Sequence, residues 1–101
     1  MDQHEFEPER AQCEEAHRNL TRAQLGMLRA MLEQVELVRR AAQREGLTTL
    51  RLEYERGETI LREDGEVEFT YRENGEDVTV RAEQLPGLIE AFERKVASWG
   101  Q

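Results

Sequence analysis

The chain has 101 residues, a hydrophobic share of 38%, a charged share of 36% and a formal net charge of −8. These figures predict one folded domain with a core of moderate size. They oppose nucleic-acid and anionic-membrane binding, both of which need clustered Lys and Arg. Cys13 is the single cysteine, so no intrachain disulfide is available and a reducing compartment is expected. The acidic opening residues contain no apolar run and the chain holds no long apolar span, so the expected localisation is cytoplasmic.

Residues 1–7 read as a flexible arm with Phe6 as its apolar anchor, and residues 8–101 as a single α+β domain. Pro8 suits the first turn of a helix, with Glu9 beside it at the positive end of the dipole. The stretch that follows is only weakly amphipathic, through Ala11, Cys13, Ala16 and Leu20. Thr21 followed three positions later by Gln24 spells a capping box, and Leu20 with Leu25 a hydrophobic staple. A break or kink is therefore expected near residues 19–21.

Residues 21–45 carry the longest helical pattern, ended by Gly46 and with Arg39, Arg40 and Arg44 in its last turns. At about 100° per residue, Leu20, Met27, Met31, Val35, Val38 and Ala42 form one stripe. Leu25, Leu28 and Leu32 widen it on one side, and Ala23, Ala30, Leu37 and Ala41 on the other. The apolar arc spans about 240°, well beyond the ~100° of a helix docked on one side only. Such a helix needs a second cover: a second helix of the same chain would serve, but a partner chain is the expected one, because the chain has little else to supply. Leu25, Leu28 and Leu32 bury more area than the alanine-rich flank, so they are the expected partner surface, with Met27 and Leu37 as further candidates.

From Leu47 the apolar period changes to two. Asn74 with Gly75 is a two-residue hairpin signal that pairs Tyr71 with Val78, Phe69 with Val80, Arg72 with Asp77 and Thr70 with Thr79. Asp64 with Gly65 reads as a second turn of that type, setting Ile60 opposite Phe69. The first hairpin then needs a three-residue loop, Glu55, Arg56 and left-handed Gly57, which sets Leu52 opposite Ile60. The prediction is a four-stranded antiparallel meander over residues 48–54, 58–63, 66–72 and 77–82. Its apolar face would hold Ile60, and its wet face Thr59 and Leu61. Residues 82–101 read as an amphipathic helix, with Leu85, Leu88, Ile89, Phe92, Val96 and Trp99 on one side. The expected fold is a two-layer sandwich in which both helices share the apolar sheet face.

Candidate chemistry is thin. Cys13 and His17 share a helical face and supply half of a zinc ligand set, but His4 is the only histidine left to complete it. As a nucleophilic pair they lack an orienting third group and a pocket. The acidic clusters around Gly65 and Gly75 do not have EF-hand spacing and are explained as hairpin tips. Gly57, Gly65 and Gly75 are each followed by Glu, which opposes phosphate binding. No catalytic, cofactor or metal site is predicted, and no enzyme.

In size and organisation the chain resembles the small anti-activators that sequester transcription factors, of the quorum-sensing kind that binds the LuxR-type receptor LasR. The resemblance covers the helix TRAQLGMLRAMLEQVELVRR, the meander and the closing helix LPGLIEAFERKVASW. It implies a regulator that blocks a receptor's dimerisation or DNA binding without touching DNA, and the wide arc of the central helix adds the expectation of a homodimer. The alternative expectation is a nucleic-acid-mimicking inhibitor of the anti-restriction or anti-CRISPR kind, which the acidic charge favours. Arg51, Arg72 and Arg81 among the acids of the wet face count against it.

Overall fold

A computed structural model describes residues 3–100. A 3-10 turn, Gln3–Phe6, leads into helix α1, Glu7–Arg44. Strands β1 (Leu50–Tyr54), β2 (Gly57–Leu61), β3 (Val67–Glu73) and β4 (Glu76–Arg81) follow. A second 3-10 turn, Ala82–Gln84, delivers the chain to helix α2, Leu85–Ser98. The α+β order is the expected one. Met1 and Asp2 of the expected arm, and Gln101 at the other end, lie outside the described residues.

The expected break at residues 19–21 does not occur, and α1 runs unbroken for 38 residues. Between Pro8 and Gly46 the sequence offers no proline and only one glycine, Gly26, so helix formers carry the chain through. Thr21 does not act as a cap. Its hydroxyl donates to the His17 carbonyl at 3.1 Å, one turn back, and its side chain is buried. The C-terminus closes as Gly46 suggests. Gly46 has φ 68°, its N–H donates to Gln43 O at 3.2 Å, and that of Leu47 donates to Ala42 O at 2.8 Å. Those two bonds make a Schellman motif.

The sheet is antiparallel in the order β1-β2-β3-β4. The last hairpin matches expectation: Asn74 and Gly75 have φ 52° and 79°, and Tyr71, Phe69, Arg72 and Thr70 meet Val78, Val80, Asp77 and Thr79. Strand β2 does not match. Thr59 lies opposite both Leu52 and Phe69, and Leu61 opposite Leu50 and Val67, so β2 is slid by one residue while its neighbours keep their expected relation.

Two turns produce the slide. Glu63, Asp64 and Gly65 form a three-residue loop: Gly65 takes φ 86°, and the Arg62 N–H donates to Glu66 O at 2.9 Å. The first hairpin conversely closes over two residues, Glu55 and Arg56, with Tyr54 opposite Gly57. Gly57 does not have the left-handed conformation expected of it. Its need for glycine is steric, since a Cβ there would collide with the Thr70 carbonyl oxygen. A slip of one residue exchanges the two faces of a strand. Thr59 and Leu61 are consequently buried, and Ile60 sits on the outer face with Arg51 and Glu68 beside it.

The core lies between the sheet's inner face and α1. Met31, Val35, Val38 and Ala42 of the helix join Leu61, Val67, Phe69 and Val80 of the sheet in one buried cluster with Leu85 and Ile89 of α2. Helix α2 does not share the sheet face equally with α1. It runs back along α1's flank, with Glu83 near Leu32, Glu93 paired to Arg29 at 3.6 Å, and Trp99 held between Arg18 and Arg22. Those two guanidiniums stand 5.4 and 5.3 Å from the indole centroid, at cation–π distance.

The result is long and thin. The molecule measures 64 × 31 × 16 Å with a radius of gyration of 18.1 Å, against about 13 Å for a compact domain of this length. Its surface of 7724 Å² exceeds by about 1,800 Å² the value of about 5,900 Å² expected for an 11.8 kDa folded monomer. Much of the excess is the N-terminal part of α1, where every residue from 5 to 17 is exposed.

Candidate interaction surface

Seven residues of α1 are buried: Thr21, Leu25, Leu28, Met31, Val35, Val38 and Ala42. Leu25 and Leu28 are 5% and 4% exposed, because α2 covers them. The flank expected to meet a partner is therefore half closed by the chain itself. Leu32 stays exposed at its end, near Ala82 and Glu83. The expectation failed because α2 lies on the flank of α1 instead of taking its own place on the sheet.

The apolar residues left uncovered fall on the other flank. Leu37 and Leu20 are the most exposed large apolar side chains among the described residues, at 61% and 55%. Cys13, Ala16, Ala23 and Ala30 are exposed with them, while Met27 and Ala41 are half-buried on the same line. With Gln34 these positions follow one another at alternating intervals of three and four from 13 to 41. That is heptad spacing, which lays a continuous seam along a helix and fits it to a second helix. Met27 and Leu37 were among the expected partner residues and lie on this seam. Cys13, Ala16 and Leu20 were not, although their intervals are legible in the sequence.

Beside the seam the sheet is also open. A four-stranded sheet is about 19 Å wide at ~4.8 Å per strand, room for two helices side by side at ~10 Å. Helix α1 fills one place, and the place over β1 is empty. Leu52 and Tyr54, on the inner face of β1, remain substantially exposed. An open groove of about 230 Å³ runs between Met27, Ala30 and Gln34 of α1 and Tyr54, Phe69 and Tyr71 of the sheet. Its floor is apolar with one satisfied polar pair. The Tyr54 hydroxyl lies 2.6 Å from that of fully buried Thr59. Burial, helped by the charge of Glu73, raises the Tyr71 phenol above its ordinary pKa.

Several polar groups elsewhere pair with one another. On the outer sheet face Arg51 pairs with Glu58 at 2.7 Å, Arg62 with Glu68 at 2.8 Å, and Thr70 with Thr79 at 3.2 Å. Hydrogen bonds from Arg62 hold the Glu68 carboxyl below the usual carboxylate range. That pair stabilises the fold above the unfolded carboxylate pKa and loses its contribution as pH falls through the depressed folded one. Along α1, Glu7 binds Arg10 and Glu14 binds Arg18. Cys13 and His17 are exposed on the projecting part of α1, and no group of three potential metal ligands occurs among the described residues. No helix among the described residues is long and apolar enough to cross a membrane. No family model, curated protein or solved structure matches the chain.

Proposed function

We propose that this is a small cytoplasmic regulatory protein that acts by protein–protein interaction, sequestering or inhibiting a partner such as a transcription factor. The observation that carries the reading is the uncovered apolar seam of α1, continuous with the open groove over β1. Apolar surface of this extent on a small chain marks a place of contact. Met27 and Tyr54 at its rim suit such a surface, one adaptable in shape and the other amphipathic. The net charge of −8 supports a protein target over nucleic acid. Mimicry of nucleic acid draws no comparable support, since a mimic needs a row of free carboxylates. The acids Glu58 and Glu68 of the outer face are paired with arginines, as are Glu7, Glu14 and Glu15 of α1.

Leu37→Glu tests the reading. Leu37 is mostly solvated in the single chain, so the substitution should change the stability of the monomer by less than about 0.5 kcal/mol. A carboxylate placed at the seam should nevertheless exclude an apolar partner. Affinity capture from the native lysate, with wild type and variant compared quantitatively, should retain a specific protein on the wild type alone. Identical captured sets would overturn the proposal.

A further inference from the structure

The seam, the groove and the charge distribution of α1 together say what covers this face. We infer that the occupant is α1 of a second copy of the chain, running antiparallel, so that each N-terminal half lies over the open β1 side of the other sheet. The inference names the occupant of that surface before a target displaces it, and rests on the protein-binding reading.

Symmetry makes the first argument. Heptad-spaced positions from 16 to 41 can be paired about a two-fold axis near Leu28 and Arg29, so that each knob of one helix meets one of the other. In that register Leu20 meets the partner's Leu37, Met27 meets the partner's Ala30, and Ala16 meets the partner's Ala41. The two most exposed leucines of the molecule cover each other. Gly26 lies beside Ala23 and Ala30, close to the axis. A Cβ on Gly26 would meet nothing within 4 Å inside the chain, so no contact of its own fold requires a glycine there. At mid-helix it costs about 1 kcal/mol relative to alanine, and a close helix–helix approach accounts for it.

Charge selects the direction. Residues 7–18 hold four glutamates against two arginines, whereas residues 39–44 hold three arginines and no acid. Antiparallel packing sets the acidic half of each helix beside the basic end of the other, and the helix dipoles oppose favourably. A parallel pair would set the acidic halves together and Arg39, Arg40 and Arg44 against their own copies.

Area makes the third argument. The chain's excess surface of about 1,800 Å² is ample for the ~800 Å² that each partner contributes to a stable interface. The sheet lies under the C-terminal half of α1, where Met31, Val35, Val38 and Ala42 are buried. The antiparallel partner therefore brings its projecting N-terminal half to the empty place over Leu52 and Tyr54. One assembly thus accounts for both the projecting helix and the vacant half of the sheet.

The test uses Leu20→Cys and Leu37→Cys, each in a Cys13→Ser background, with circular dichroism to verify that both fold. Each is treated with a short bismaleimide cross-linker, alone and after mixing with subunit exchange. In the antiparallel pair, copies of the same position are about 25 Å apart at 1.5 Å per residue. Each variant alone should therefore stay uncross-linked, and the mixture should give the cross-linked dimer. Self-linking of either variant would overturn the direction, and no link in the mixture would overturn the second copy as occupant. If no link forms while Leu37→Glu still abolishes capture of another protein, that protein occupies the seam. The inference then falls and the function proposed above survives.

Discussion

Leu28→Glu should unfold the chain at or near room temperature, whereas Leu37→Glu, nine residues away on the same helix, should stay folded and lose only the stabilisation that a second copy supplies. Leu28 is 4% exposed in the cluster that joins α1 to Leu85 and Ile89 of α2. Removing it forfeits about 2–5 kcal/mol of packing. The glutamate must then either lie unpaired in an apolar contact or pull the helices apart, at a further cost of several kcal/mol. Against a total stability of about 5–15 kcal/mol, a combined loss exceeding about 5 kcal/mol leaves little folded protein. Circular dichroism melts of the two variants check the contrast. A Leu28→Glu protein that melts like wild type would mean that α2 does not cover this flank.

Gly57→Ala is expected to be the most damaging single methyl in the sheet, at about 3 kcal/mol, the upper part of the range for overpacking. The added Cβ would collide with the Thr70 carbonyl oxygen and lie 3.2 Å from Tyr71 Cα. Both obstacles are backbone atoms of β3, so no side-chain rotation relieves them, and β2 and β3 must separate there. Chemical denaturation should show a lower midpoint. An unchanged midpoint would place Gly57 elsewhere than opposite Tyr71.

That glycine also shows how far local sequence signals reach. The Asn74 and Gly75 turn was legible because one dipeptide dictates both the left-handed backbone and the loop length, and the cross-strand pairs agree with it. Strand β2 was not, because its apolar residues Ile60 and Leu61 are adjacent and cannot both face inward. A reading by hydrophobicity turns β-branched Ile60 inward. The chain instead buries Leu61 and Thr59, whose hydroxyl is satisfied by Tyr54, and Gly57 slips under the Thr70 carbonyl. The contact of Gly57 with Thr70, thirteen residues on, is not local.

The candidate surface was legible in part for a similar reason. The width of the apolar arc on α1 is a property of the sequence, and it correctly announced that the sheet would not be the helix's only cover. Which flank α2 would take depends on where β4 ends and on Trp99 reaching Arg18 and Arg22, far from both in sequence. The capping box at Thr21 misled because its residue types are equally compatible with a helix interior when the hydroxyl bonds one turn back. With the break assumed, residues 8–19 read as a separate weak helix, and the heptad spacing that crosses residue 20 went unused.

Whether the uncovered face of α1 is a contact surface is decided by sedimentation equilibrium of the full chain. At micromolar concentration the wild type should sediment at about twice its monomer mass of 11.8 kDa. Leu37→Glu should sediment as the monomer, folded by circular dichroism and lower in melting temperature only by what dimer formation contributes. A wild type that stays monomeric across that range, with Leu37→Glu indistinguishable from it in both mass and capture, would contradict the account.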